Sequence, residues 1–406
     1  MGALDAAQEQ GPDDPLRDLP TPNRDGIRLS RWQRLGYHDA RLQREKSVGM
    51  KPIRVLVSDA DVLARHKIIS VLEAAGDMVC EAVSPEGVDL LANIAEDPPD
   101  VLLLDMEETS KNDPHLLSRI HELRPGLPVV ALVSRSKGGA ELTIDLLLEG
   151  LSEFVTKPEN GSNVLFADGH LQKRLPPILR MAAGHHHVRS YPARGRDGLH
   201  ADTSQRSDAA TAIAIGGCSG AVPILNDLLA GLAPSPACVL VAQHMPRFFT
   251  TALARRLSLV SARPVVEASN NDLLDSDTIW LAPGGHHMGI RVAGYHHLLH
   301  VHRGRRESGC RPSIDALFRS VAETFQEGAV GIILSGCAMD GLRGCRAIRD
   351  HGGRVLVQDP DTAQVPDLPN AVITGGLATH VLPPDELTAL MNREASRAPL
   401  PAFPLT

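Results

Sequence analysis

Short apolar, β-branched runs alternate with helix-length segments along most of this chain. The first series comprises Ile53-Arg54-Val55-Leu56-Val57, Val101-Leu102-Leu103-Leu104, the run 127–133 and Glu153-Phe154-Val155, with helical periodicity over 62–75 and again over 171–183. Buried strands joined by helices predict a doubly wound parallel sheet. A second series follows at 210–215, 237–242, 278–281, 329–334 and 354–358, with helices over 222–232 and 313–325. The alternation breaks at 287–302, where strand-like residues flank Ala293-Gly294 as in a β-hairpin. The chain is therefore expected to be α/β, with two doubly wound parallel-sheet domains, the second carrying an antiparallel hairpin.

Residues 1–50 are polar without apolar periodicity and are expected to be disordered, with Met50 as a candidate start. The stretch 184–209 is rich in His, Arg, Gly, Ser and Asp and reads as a solvated linker. The domains accordingly span 51–183 and 210–395, followed by a tail over 396–406.

Composition narrows the function. A chain of 406 residues with 43% hydrophobic content has room for two cores. A formal charge of −8 and no long Lys/Arg block argue against nucleic acid and for a protein or small-molecule partner. The six cysteines lack metal-finger spacing and the density of a secreted scaffold, which points to a reducing cytoplasm. Without a long apolar run or an export signal, neither membrane insertion nor secretion is expected.

Three strand ends carry the candidate chemistry: Gly216-Gly217-Cys218-Ser219-Gly220, Gln243-His244-Met245-Pro246 and Ser335-Gly336-Cys337-Ala338-Met339-Asp340-Gly341. Open α/β sheets bind ligands at the carboxyl ends of their strands. The glycines at the first site permit a tight turn into a helix, whose free N–H groups and dipole stabilise a thiolate on Cys218. Taken alone, the turn equally fits a small residue filling space or a phosphate-binding loop, although it has neither dinucleotide spacing nor a Walker lysine. His244 is placed as a general base, and Asp340 as the carboxylate that orients it. The histidines at 185–187 and around 286–302 have no zinc-site spacing, and no catalytic metal is expected from them.

These motifs make residues 211–390 resemble the catalytic domain of the chemotaxis protein-glutamate methylesterase family, a Rossmann-like domain. Ala282-Pro283-Gly284-Gly285-His286-His287, the stretch 311–318 and Gln358-Asp359 match as well. The resemblance implies a nucleophile–His–Asp triad acting on glutamate γ-methyl esters of chemoreceptors, with a second, glutamine-deamidating activity. Cys218 stands at the family's nucleophilic serine, with Gly217 and Ser219 in the nucleophile loop. Cys337 replaces a methionine whose backbone N–H resembles an oxyanion-hole donor. A Cys-His-Asp set can cleave an ester through a thioester, since a thiolate is a strong nucleophile and backbone donors do not depend on side-chain identity.

The first domain resembles a flavodoxin-like response-regulator receiver with a degenerate site. The resemblance implies phosphorylation of Asp105 by a histidine kinase, Mg²⁺ held by Asp59 and Asp105, a phosphoryl-contacting Lys157 and a hydroxyl at Ser134. The second acidic position is Ala60, with Asp61 one place late, and the family's proline and glycine are missing around 107–113. Two further readings compete with the leading one of a receptor-directed esterase controlled by its receiver. One is a non-catalytic docking module of a chemosensory system; the other is an amidohydrolase favouring glutamine.

Overall fold

The computed structural model describes residues 51–83, 87–107, 113–157, 169–184, 211–337 and 339–396. The expected disordered N-terminus, nearly all of the expected linker including His185, His186 and His187, and the tail beyond residue 396 lie outside the described residues.

The first sheet consists of β1 (Ile53–Ser58), β2 (Met78–Val83), β3 (Val101–Asp105), β4 (Val129–Val133) and β5 (Glu153–Thr156). Its order is β2-β1-β3-β4-β5, parallel throughout. All residues of β3 and β4 are buried, which accounts for their unbroken apolar runs: parallel strands covered on both faces have no polar side. The sequence pattern missed β2 because Glu81 interrupts it. Yet Glu81 itself is buried in the folded domain.

Five helices are described in this half: α1 (Val62–Ala74), α2 (Gly87–Glu96), α3 (Leu116–Leu123), α4 (Lys137–Leu148) and α5 (His170–Gly184). Asp61 caps α1 by accepting from the amides of Leu63 and Ala64, and Ser136 caps α4 through the amide of Gly139.

The second sheet is built from β6 (Ala212–Gly217), β7 (Cys238–Gln243), β8 (Val265–Glu267), β9 (Ile279–Leu281), β12 (Ala329–Ile333), β13 (Arg354–Gln358) and β14 (His380–Leu382). Its order is β14-β13-β12-β6-β7-β9-β8, again parallel. The chain runs outward from β6 to β7 on one side and later returns to β12 on the other. The crevice at the carboxyl ends of β6, β7 and β12 is thus the topological switch point. Between them come α6 (Val222–Ala230), α7 (Phe249–Ser258), α8 (Ile314–Phe325), α9 (Leu342–Asp350), α10 (Asp367–Thr374) and α11 (Pro384–Ala395). The hairpin is present as β10 (His287–Ala293) and β11 (His296–His302), antiparallel in register. The outermost strands β8 and β14, three residues each, are too short to show periodicity in sequence.

The two halves touch. Helix α4 packs along α7, Phe154 stacks on Phe249 with ring centroids 4.7 Å apart, and Arg255 pairs with Glu141 at 3.0 Å. Buried apolar side chains from both halves join one continuous cluster.

Candidate active site and receiver site

Cys218 and His244 sit where their strands stop, and Asp340 lies in the turn between β12 and α9. Cys218 follows β6, and its amide donates to the carbonyl of Ser335 at 3.0 Å, tying the first turn to the third. His244 follows β7, and its amide donates to Gly217 O at 3.0 Å, tying the second turn to the first. Glycine is required by close approach as well as by backbone angle. A Cβ on Gly217 would stand 2.6 Å from Gln243 Oε1, and one on Gly336 would stand 2.7 Å from the Cβ of Cys218. Gly220 adopts a φ of 72°, the left-handed region.

His244 and Asp340 form the expected pair, with Nε2 2.8 Å from Oδ2, and their side chains are 9% and 0% exposed. Asp340 lies at the N-terminus of α8. Its Oδ2 accepts from the amide of Ile314 at 2.7 Å, and its Oδ1 from the Ser313 hydroxyl at 2.8 Å and the amide of Asp315 at 3.2 Å. Burial alone would raise its pKa, but the His244 and Ser313 hydrogen bonds and the Ile314 amide hold it below the ordinary carboxylate range. For His244, burial opposes the charged ring, while Asp340 and the nearby Cys310 thiol outweigh it and push the pKa up to about 9. The imidazole is therefore largely protonated at neutral pH. Its Nδ1 is buried and makes no hydrogen bond among the described residues.

The Cys218 thiol lies 3.8 Å from Ser219 Oγ, and that hydroxyl lies 3.7 Å from Cys337 Sγ. Contact with the Cys337 thiol lowers the pKa of Cys218 against the opposing effect of burial, and the Ser219 amide adds a second donor to the sulfur. Among the described residues, Cys218 makes no hydrogen bond to His244. The structure thus joins His244 to Asp340, joins Cys218 to Ser219 and Cys337, and fastens the two groups together through the backbone.

Four contributors escaped the sequence reading. Ser313 and Asp315 fell within a matching stretch without an assigned role. Yet Ser313 both caps α8 through Ala316 N and holds Asp340, while Asp315 accepts from Gly341 and Gly344. The Ser-x-x start of an apolar helix was the available cue. Cys310 gave no cue. Its sulfur groups with ligand atoms of His244 and Asp340 within 4.8 Å of one another. The fourth is Glu153 of β5, whose carboxyl faces the Ser219 hydroxyl and is raised in pKa chiefly by burial. No local pattern links residues so far apart.

A cleft of about 730 Å³ opens beside His244, lined by Cys310, Arg303 and Arg306 of the second half and Arg135 and Arg174 of the first. Of the hairpin histidines, His287 bonds the carbonyl of Arg305 at 2.9 Å, and His300 stacks on His302 with centroids 4.7 Å apart.

In the first half, Asp59 and Asp105 are both buried at the carboxyl ends of β1 and β3. Lys157 Nζ reaches Asp105 Oδ2 at 2.6 Å and Glu107 Oε2 at 4.0 Å. Burial raises the pKa of Asp59, and the neighbouring charge of Asp105 adds to it. Two close, buried carboxylates of this kind fit a hard divalent cation, which would relieve their repulsion. Asp61, one place beyond Ala60, uses its Oδ1 to cap α1, accepting from the amides of Leu63 and Ala64 at 2.8 and 3.3 Å. Ser134 joins the site through its amide, which donates to Glu107 Oε1 at 3.1 Å, while its hydroxyl lies 2.7 Å from Ser136 Oγ. Residues 108–112 lie outside the described residues.

A parallel α/β domain with a buried His–Asp pair beside a thiol, joined to a receiver-type sheet with paired acids and a lysine, defines a receiver-coupled hydrolase. Residues 213–391 match the CheB methylesterase family and residues 55–167 the response regulator receiver domain family. A protein-glutamate methylesterase/protein-glutamine glutaminase of Trichodesmium erythraeum is 33% identical over 344 residues, covering 83% of this chain and 97% of that protein. One of the same name from Symbiobacterium thermophilum is 33% identical over 359 residues, covering 84% and 97%. Among solved structures, the Thermotoga maritima CheB methylesterase catalytic domain is 29% identical, covers 45% of this chain and 99% of its own, and gives a TM-score of 0.43. The chain belongs to the CheB methylesterase family and carries a receiver domain. Family membership favours a hydrolase over the docking-module reading. No helix among the described residues is long and apolar enough to cross a membrane.

Proposed function

We propose that this chain hydrolyses glutamate γ-methyl esters, and deamidates glutamine, on helical chemoreceptor-like proteins, with Cys218 as nucleophile, His244 as proton carrier and Asp340 as its orienting carboxylate. The observation that carries this reading is the buried His244–Asp340 pair, fastened by the His244 amide to the turn that bears Cys218. With Nε2 bound to Asp340, Nδ1 is the nitrogen left to exchange a proton with the substrate.

A protonated His244 suits a thiol better than a hydroxyl. A serine needs a neutral imidazole to take its proton, whereas Cys218 is already biased towards thiolate by its own neighbours. The thiolate attacks the ester carbonyl, and His244 gives its proton to the departing methoxide, leaving a thioester and methanol. The neutral ring then takes a proton from water, the hydroxide attacks the thioester, and carboxylate and thiolate are released. Once the sulfur is acylated, the Ser219 amide no longer faces a thiolate and joins the Cys337 amide as a candidate oxyanion donor. The arginines lining the cleft match a substrate whose product is a carboxylate.

Control follows from the placement of Glu153 against Ser219. A histidine kinase is the phosphoryl donor in this reading and Asp105 the acceptor. Asp59 and Asp105 would hold Mg²⁺, which would supply positive charge beside the phosphoryl group. The added charge competes for Lys157 and loosens the β5 edge from the nucleophile turn.

The test is methanol release from a methylated chemoreceptor fragment by the full chain and its Cys218→Ala and Cys218→Ser forms. Activity in the parent that is lost in the alanine form is expected. An inactive parent with an active serine form would reject Cys218 as the working nucleophile.

A further inference from the structure

We propose that Cys218 and Cys337 form an oxidation site, at which a hydroperoxide converts the two thiols into an intramolecular disulfide. Their effect on turnover rests on the reading of Cys218 as nucleophile; the disulfide itself does not.

The geometry comes from neighbouring strands. The carboxyl ends of β6 and β12 are paired, Leu334 N donates to Gly216 O at 2.9 Å, and Cys218 N donates to Ser335 O at 3.0 Å. These bonds hold the two turns face to face. Between them stands Gly336, whose missing side chain leaves the space that the Cβ of Cys218 uses, 2.7 Å from where a Gly336 Cβ would be. Both sulfurs touch the same Ser219 hydroxyl, at 3.8 and 3.7 Å, and the two thiols also interact directly. A disulfide needs its Cβ atoms about 3.5–4.5 Å apart, the separation the two facing turns must reach when the bond forms.

The two thiols are chemically unequal. The proximity of Cys337 biases Cys218 towards thiolate, while Cys218 keeps Cys337 protonated well above the ordinary thiol range. Cys337 is exposed and Cys218 half-buried, whereas Cys80, Cys238 and Cys345 are buried. Burial raises the pKa of Cys80 and Cys238 to about 12, which makes them poor peroxide targets.

The steps balance. The Cys218 thiolate attacks one oxygen of the hydroperoxide, the O–O bond breaks, and the other oxygen leaves as water or alcohol after taking a proton. Cys218 is then a sulfenic acid, oxidised by two electrons. The Cys337 sulfur attacks that sulfur; the S–S bond forms, the S–O bond breaks, and hydroxide leaves as water with the Cys337 proton. The disulfide occupies the nucleophile and protects it from further, irreversible oxidation.

The experiment treats the full-length protein with hydrogen peroxide, alkylates the remaining thiols and maps peptides by mass without reduction. A cross-linked Cys218–Cys337 peptide, lost on adding dithiothreitol, is expected in the parent and in Cys310→Ser. In Cys337→Ser, Cys218 should proceed to sulfinic acid, so that thiol recovery on reduction falls at least about tenfold. Absence of the cross-link, a Cys218–Cys310 link in its place, or full recovery in Cys337→Ser would overturn the proposal. A cross-link in a protein that releases no methanol would count against the catalytic reading alone.

Discussion

In the proposed reading the receiver half and the hydrolase half each depart from their families at a chemical position, but the departures differ in kind. At Ala60 a side chain that would have supplied a charge is gone, and the nearest acid, Asp61, is committed to capping α1. At Cys218 the chemical group is exchanged and its surroundings are intact. Asp340 keeps its bonds to His244, Ser313, Ile314 and Asp315, and the turn keeps the glycine contacts that set its shape. A cation site works by summing charge from several donors, so one missing carboxylate weakens it directly. A nucleophile works through one atom whose reactivity is set by what surrounds it, so the proposed exchange of oxygen for sulfur is compatible with the His244–Asp340 framework seen here. The same comparison assigns different limits to the halves: metal affinity in the first, protonation state in the second.

The largest effect should come from the framework itself. Asp340→Asn removes the charge that orients and stabilises the His244 imidazolium, and kcat should fall about 10³- to 10⁴-fold in steady-state methanol release. Retention of more than about a tenth of the activity would mean that His244 does not depend on Asp340. The next effect concerns protonation. The active form needs a Cys218 thiolate, whose pKa is lowered, and a charged His244, whose pKa is raised to about 9. The rate should therefore fall roughly tenfold per pH unit above about 9, as the His244 imidazolium is lost. Cys218→Ser, which needs a neutral ring, should instead gain activity through that range; identical profiles would break the contrast between sulfur and oxygen.

Folding stability carries the same sign for His244. The unfolded ring titrates near 6.5 and the folded one near 9, so its contribution is complete below about 6.5 and is lost as pH rises through about 9. The smallest expected effect lies in the receiver. Ala60→Asp should tighten Mg²⁺ binding about tenfold, read by fluorescence or calorimetric titration, because it adds a carboxylate donor beside Asp59. Unchanged affinity would mean that another donor already fills that position.

Much of the fold was legible along the chain because parallel strands buried on both faces write unbroken apolar runs, as in β3, β4, β6 and β7. The strands that escaped were β2, broken by Glu81, and the three-residue edges β8 and β14, whose burial is too short or too mixed to leave a period. Candidate chemistry was legible for a related reason: Cys218, His244 and Asp340 each follow a strand end, and glycines mark the turns that need close approach. What the sequence by itself determined was the alternation of elements and the candidate groups that stand at the strand ends. The tertiary structure alone decided which groups meet, because contacts such as Asp340 with Ser313, Cys218 with Cys337, Cys310 with His244 and Glu153 with Ser219 depend on strand order and domain packing. Those are sums of many weak burial terms spread over the whole chain, and no local spacing records them.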